Sequence, residues 1–273
     1  MNTQVKSGFI ESGKAKLYYE EAGEGTPFVM IHAAVADHRQ WNNEFATFAQ
    51  QYHVIRYDMR GFGKSEPAEG EYSALGDLTA LLDGLGIRQP AILMGCSMGG
   101  GTALDLTLEA PKRVKALIMV DSGPGGLELD AGEPESLAEA EKAYKAGEYE
   151  RVVEFDAQGW FDGKRRTDQV SPEMRKLFCE MDRLALSHEV KGLGKRLPNL
   201  PTPAYKRLAE VSAPVLVIVG AQDTDYQLAA ADYLMEHVEG AQKIVIDDAA
   251  HLPNMDHPEE FAKVVSTFLA KVK

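Results

Sequence analysis

The residues of this chain best placed to do chemistry are Gly95-Cys96-Ser97-Met98-Gly99. An apolar run, Ala91-Ile92-Leu93-Met94, leads into them, and a glycine-rich segment of helical character, Gly99-Gly100-Gly101-Thr102-Ala103-Leu104, leads out. A serine hydroxyl is a poor nucleophile at neutral pH, so an acyl-transfer centre must present it on a tight turn where a histidine can reach its proton. A strand, G-x-S-x-G and a helix in that order describe such a turn, and glycines at 95 and 99 make room for it. The pentapeptide alone is a weak signal; its flanks and the late acidic and histidine residues give it weight.

Activating Ser97 takes a base, and the base takes a carboxylate that fixes its tautomer and stabilises the imidazolium. Parallel sheets put such groups at the carboxyl ends of their strands. Asp223 follows an apolar run at 215–219 in the phrase Gly220-Ala221-Gln222-Asp223, and His251 follows Ile246-Asp247-Asp248-Ala249-Ala250. Asp225, two residues on, is a rival for the acid. His257, before Pro258, and His237, inside a helical stretch, read as surface residues, and His32 as a structural hydrogen-bonding residue. An oxyanion needs two preorganised N–H donors, each worth about 3 to 4 kcal/mol by mutation in related chemistry. Met98 supplies one by its place after the nucleophile. Cys96 lies on a turn that presents residue 97 instead, which argues against a catalytic thiol.

These groups must be positioned by an ordinary globular fold. At 273 residues, 44% hydrophobic and 26% charged, the chain suits one large α/β domain, alone or carrying an insertion, with a single core. Twenty-nine basic against forty-two acidic residues give a net charge of -13, which repels nucleic acid and anionic membrane surfaces. The start, Met1-Asn2-Thr3-Gln4-Val5-Lys6, has no apolar h-region, and no segment approaches the about eighteen apolar residues of a membrane span. A cytoplasmic location is expected. Neither of the two cysteines, Cys96 and Cys179, reads as a disulfide partner or a metal ligand.

Periodicity predicts a hairpin of edge strands at 5–10 and 16–21, then buried strands at 28–31, 54–57, 91–94, 116–120, 215–219 and 243–246. Helical stretches at 41–50, 74–85, 100–110, 227–238 and 258–270 alternate with them, which argues for a mostly parallel, doubly wound sheet covered on both faces. Roughly ninety residues separate the strands ending at Val120 and starting at Val215, too many for a bare loop. Leu137, Ala140 and Tyr144, and Met174, Leu177, Phe178 and Met181, recur at helical spacing there. The segment 124–204 is therefore expected to be a helical cap inserted in a core made of 1–123 and 205–273. Trp160, Phe161, Phe178 and Met181 are candidates for an acyl pocket, with Trp160 and Phe178 taken as the substrate-binding pair. Asp58, Arg60, Asp37 and Arg39 read as braces of the loops under the site, and Trp41 as core.

With Ser97, Asp223 and His251 in that order, the chain resembles the α/β-hydrolase family, whose triad runs Ser, Asp or Glu, His. The likeness extends to His32-Ala33-Ala34, to Asp37-His38-Arg39-Gln40-Trp41 and to Asp58-Met59-Arg60-Gly61-Phe62-Gly63-Lys64-Ser65. It covers roughly 15–123 and 205–270, leaving the inserted segment outside. The resemblance assigns the second oxyanion donor to Ala34, with Val35 as substitute, and makes Asp121 a second rival acid. Ala33 stands where the family usually has glycine. A serine at the elbow sets aside the dehalogenase and epoxide-hydrolase branches, which use a carboxylate there. The resemblance is greatest to esterases and enol-lactonase-like members. It implies hydrolysis of a small-molecule carboxylic ester or lactone, such as an acyl-homoserine lactone, with no cofactor and no metal, by a monomer or homodimer. A C–C bond hydrolase of ring-fission products and a receptor-like hydrolase that binds a small lactone remain the alternatives.

Overall fold

The computed structural model describes residues 4–132 and 134–272. The chain opens with β1 (Lys6–Ser12) and β2 (Ala15–Ala22), an antiparallel hairpin turned at Gly13 with φ 58°. Next come β3 (Pro27–Ile31), β4 (His53–Tyr57), the two-residue β5 (Glu71–Tyr72), β6 (Ala91–Cys96) and β7 (Val114–Val120). After a long helical segment follow the two-residue β8 (Lys195–Arg196), then β9 (Val215–Gly220) and β10 (Gln242–Ile246). Eight of these strands form one sheet in the order β1-β2-β4-β3-β6-β7-β9-β10. Every pairing from β4 to β10 is parallel, and the hairpin joins antiparallel through β2 on β4. This is the mostly parallel sheet that the periodicity predicts, with the hairpin at one edge.

Helices cover both faces. On one lie α1 (Asn42–Phe48), α8 (Pro253–Asp256) and α9 (Pro258–Leu269); on the other lie α2 (Ala74–Gly84), α3 (Met98–Glu109) and α7 (Asp225–His237). Side chains alternate across the pleat accordingly. Phe28 and Met30 of β3 meet Phe48 and Phe261, whereas Val29 and Ile31 face Leu78 and Leu104. Every residue of β3, β6 and β9 is buried, as two covered faces require. Each fully buried Phe or Leu in these layers contributes roughly 1.5–3 kcal/mol.

Between β7 and β9 the chain forms α4 (Glu135–Ala146), α5 (Tyr149–Asp156), a π-helical turn (Ala157–Asp162) and α6 (Pro172–Glu189). Ala140, Ala143, Val152, Val153 and Leu186 make a small cluster of their own. Ala157, Phe161, Phe178 and Met181 instead join the apolar layer that holds Met30 and Trp41. β8 pairs with β5, which ties the inserted segment to the loop after β4.

Three predicted helices start elsewhere. The stretch at 41–50 begins as a 3-10 turn, His38–Trp41, because the Asp37 carboxylate accepts the Arg39 N–H at 2.9 Å and caps it. α3 starts at Met98, directly after Ser97, and not at residue 100, and α7 starts at Asp225, capped by the Thr224 hydroxyl, and not at residue 227.

Candidate active site

Ser97 joins the last residue of β6 to the first of α3 with φ 51° and ψ -117°. A non-glycine residue held there stores of the order of 1–3 kcal/mol of strain, so the surroundings must enforce it. Its N–H donates to the Val120 carbonyl at 2.9 Å, and its carbonyl accepts the Ser122 hydroxyl at 2.7 Å. Glycine is obligatory on both flanks because backbone packs against backbone. A Cβ at Gly95 would stand 2.3 Å from the Gly99 carbonyl carbon, and one at Gly99 would stand 2.3 Å from the Ile31 oxygen.

His251 and Asp223 lie at the carboxyl ends of β10 and β9. His251 Nδ1 donates to Asp223 Oδ2 at 2.7 Å, and both side chains are buried. The other carboxylate oxygen, Oδ1, accepts the Thr224 N–H at 2.6 Å, and Thr224 caps α7 with its hydroxyl. The histidine backbone is fixed as well: its N–H donates to the Trp160 carbonyl at 3.1 Å, and Cys96 Sγ donates to its carbonyl at 3.3 Å. The imidazole is therefore tied to the residue next to Ser97. Among the described residues no hydrogen bond takes up the Ser97 hydroxyl or His251 Nε2.

The rivals sit differently. Asp225 is exposed and pairs with Lys164 at 2.8 Å. Asp121, at φ 41° after β7, is buried beside the pair; Asp121, Asp223 and His251 bring ligand atoms within 4.8 Å of one another. Its Oδ1 accepts the Gly220 N–H at 2.9 Å, while among the described residues Oδ2 has no hydrogen-bond partner. Burial, and then the adjacent Asp223 carboxylate, push the Asp121 carboxyl well above the usual range. His257 bonds the Asp248 carbonyl and His237 stacks on Tyr233, both at the surface. Cys96 is fully buried, and burial raises its thiol.

The β3 loop runs alongside the Ser97 turn, since the Ile31 and His32 carbonyls are what a Cβ at Gly99 would strike. His32 is buried with Nδ1 donating to Ala33 O at 2.7 Å and Nε2 accepting Met59 N–H at 2.9 Å. Those roles require the neutral tautomer, and burial lowers its pKa to match. Ala34 is exposed in a turn closed by the Ala36 N–H on Ala33 O, and among the described residues no hydrogen bond engages the N–H of Ala34 or of Met98. Below, Asp58 takes the N–H and Nδ1 of His38 and the N–H of Lys64, Arg39 pairs with Asp37, and Arg60 pairs with Asp77.

A buried polar chain escaped sequence reasoning altogether. Gln40 Oε1 accepts the Ala33 N–H at 2.9 Å; Asn254 Nδ2 donates to Gln40 O at 2.8 Å and to Glu44 Oε2 at 3.0 Å. Burial raises the Glu44 carboxyl to about 8. Glu44 follows Trp41 at helical spacing on an apolar face, the one signal in the sequence that its charge is out of place.

A cavity of about 490 Å³ opens at Ser97 and Met98 and extends past Asp105, Arg196, Leu200 and Tyr226. Trp160 is not on its wall; its indole packs over the His251 ring, centroids 4.5 Å apart. Phe178 is fully buried against Phe161 and does not reach the cavity.

Residues 28–264 match the model of the alpha/beta hydrolase family. The chain belongs to the alpha/beta hydrolase family. This alpha/beta hydrolase is 28% identical to 3-oxoadipate enol-lactonase 1 of Acinetobacter baylyi over 92% of its own length and 91% of the relative's. It is 30% identical to 2-hydroxymuconate semialdehyde hydrolase of Pseudomonas putida over 92% and 89%. Among solved structures, an N-acyl homoserine lactone degrading enzyme superposes with a TM-score of 0.76 at 27% identity, over 96% of this chain and 100% of that one. No helix among the described residues is long and apolar enough to cross a membrane.

Proposed function

We propose that this alpha/beta hydrolase cleaves carboxylic esters, lactones included, through an acyl-enzyme on Ser97. The observation that carries the reading is the buried 2.7 Å bond from His251 Nδ1 to Asp223 Oδ2, set against a strained serine turn. A donor at Nδ1 leaves Nε2 as the lone-pair nitrogen, the tautomer a general base needs. The Ser97 hydroxyl donates to Nε2 in the Michaelis complex of this mechanism, where catalytic hydrogen bonds tighten. Ser97 Oγ then attacks the ester carbonyl carbon while Nε2 takes its proton. The N–H groups of Met98 and Ala34 receive the oxyanion, and the alcohol leaves with the proton held by His251. Water attacks the acyl-enzyme by the same route in reverse and regenerates Ser97. The helical segment 124–204 acts as a cap, its π-helical turn bearing Trp160 against the base. Such turns occur frequently at functional sites.

The likeness to 2-hydroxymuconate semialdehyde hydrolase, at 30% identity, favours C–C bond hydrolysis as the second reading. Steady-state turnover of p-nitrophenyl butyrate, an acyl-homoserine lactone and a vinylogous diketone separates the two. Ester and lactone cleavage with little action on the diketone is expected, and the opposite order overturns the ester assignment. Ser97→Ala is expected to reduce kcat by about 10⁴-fold or more, and undiminished turnover in that variant removes the nucleophile.

A further inference from the structure

Among the described residues every arginine pairs with a carboxylate except Arg196. It is also the arginine on the wall of the cavity at Ser97. In a chain of net charge -13 acidic partners abound, so this position is conspicuous. The acidic groups around it are already engaged. Asp105, across the same cavity, takes Asn199 Nδ2 at 2.7 Å and feels the Arg196 charge without pairing with it, and burial raises its carboxyl to about 6; Asp77 takes Arg60. Glu71 pairs with the neighbouring Lys195. The guanidinium of Arg196 lies against the Met98 sulfur, and its chain is held by the pairing of β8 with β5, so it is anchored beside the nucleophile turn.

We propose that Arg196 is an anion subsite of this cavity, and that the preferred esters or lactones carry a carboxylate which the guanidinium receives. The inference rests on the acyl-transfer reading of the same cavity. A guanidinium fork matches a carboxylate in two parallel N–H···O bonds, stronger than neutral contacts and specific in direction. The remaining walls at Leu197, Pro198, Leu200 and Pro203 are apolar, so one cation fixes which end of a short substrate points away from Ser97.

The test compares kcat/KM for 4-nitrophenyl hemiglutarate, with the carboxylate on the acyl side, and 4-carboxyphenyl butyrate, with it on the alcohol side, each against its uncharged counterpart. Ratios are taken within wild type, Arg196→Gln and Arg196→Lys. Arg196→Gln is expected to lower the charged-to-uncharged ratio by about 10-fold or more for one of the two pairs, with Arg196→Lys between. Which pair responds identifies the side; unchanged ratios for both overturn the proposal. Binding of glutarate to Ser97→Ala and to Ser97→Ala/Arg196→Gln, by calorimetry, needs no turnover. At least 10-fold weaker binding in the double variant supports the subsite even if the ester reading fails, and equal binding overturns it even if esters are cleaved.

Discussion

Glu44 gives the most quantitative prediction. Its carboxyl is fully buried, with Oε2 on Asn254 and Oε1 unpartnered, and burial raises its pKa to about 8. In the unfolded chain a glutamate titrates near about 4.3. Between these values the folded state keeps the proton and the unfolded state loses it, so stability falls as pH rises. The stabilising state is complete below about 4.3 and lost through about 8, at up to about 1.4 kcal/mol per pH unit. From pH 5 to pH 8 this group should cost the wild type about 4 kcal/mol. Glu44→Gln keeps an oxygen for Asn254 but leaves a buried amide N–H₂ without an acceptor, a pH-independent penalty of about 1–3 kcal/mol. Urea unfolding at pH 5, 6, 7 and 8 should therefore show the variant gaining on wild type by about 4 kcal/mol across the series, whatever the offset at pH 5. Asp182, also raised to about 8, titrates in both proteins and cancels in the difference. A difference flat within about 1 kcal/mol would falsify the assignment of Glu44 as a neutral acid.

Two further outcomes concern the turn and the acid pair. Gly99→Ala drives a methyl into the Ile31 and His32 carbonyl oxygens, at 2.3 and 2.6 Å, and neither can move without displacing β3. A loss of about 3 kcal/mol or more in urea unfolding, with loss of activity, is expected, and a tolerated alanine contradicts the packing. Asp121→Asn keeps an oxygen for Gly220 and places an uncharged N–H₂ beside Asp223, whereas Asp121→Leu removes both polar atoms. The leucine variant should lose about 10-fold in kcat/KM relative to the asparagine variant, with its pH–rate profile displaced; equal kinetics for the two mean that Asp121 does not position Asp223.

The sheet was legible because burial on both faces writes apolar runs at β3, β6, β7 and β9, and because helices punctuate them. The triad candidates were legible through position after strands, and Asp223 prevails over Asp225 in geometry because Asp225 already occupies the first turn of α7, where its side chain meets solvent and Lys164. The roles of side chains on the helices between β7 and β9 were not legible. Phe178 and Trp160 have the composition of a pocket lining, but helical spacing specifies only that a face is buried, not whether it meets a ligand, a neighbouring ring or the His251 imidazole. The chain Glu44–Asn254–Gln40 depends on residues 210–214 positions apart, and Arg196 on which partners are missing, and neither leaves a periodic trace.

That polar chain explains how a site assembled from distant segments stays in register. The loop carrying Ala34 follows β3 and the loop carrying His251 follows β10, and these strands sit four places apart in the sheet, too far for strand pairing to align them. Gln40 grips the Ala33 N–H, immediately before Ala34, and Asn254, three residues after His251, grips Gln40. The loop that would hold the oxyanion and the loop that carries the imidazole are thus joined by two direct hydrogen bonds inside the apolar layer. In that low-dielectric setting breaking either bond leaves a buried polar group unpaired, at about 1–3 kcal/mol. Gln40 also supplies what the backbone lacks here: Ala33 has no glycine freedom, and an acceptor on its N–H holds the loop in one conformation instead. The neutral Glu44 closes the far end of the chain by accepting from Asn254, which is why a buried carboxyl 44 positions into the sequence bears on the geometry around Ser97.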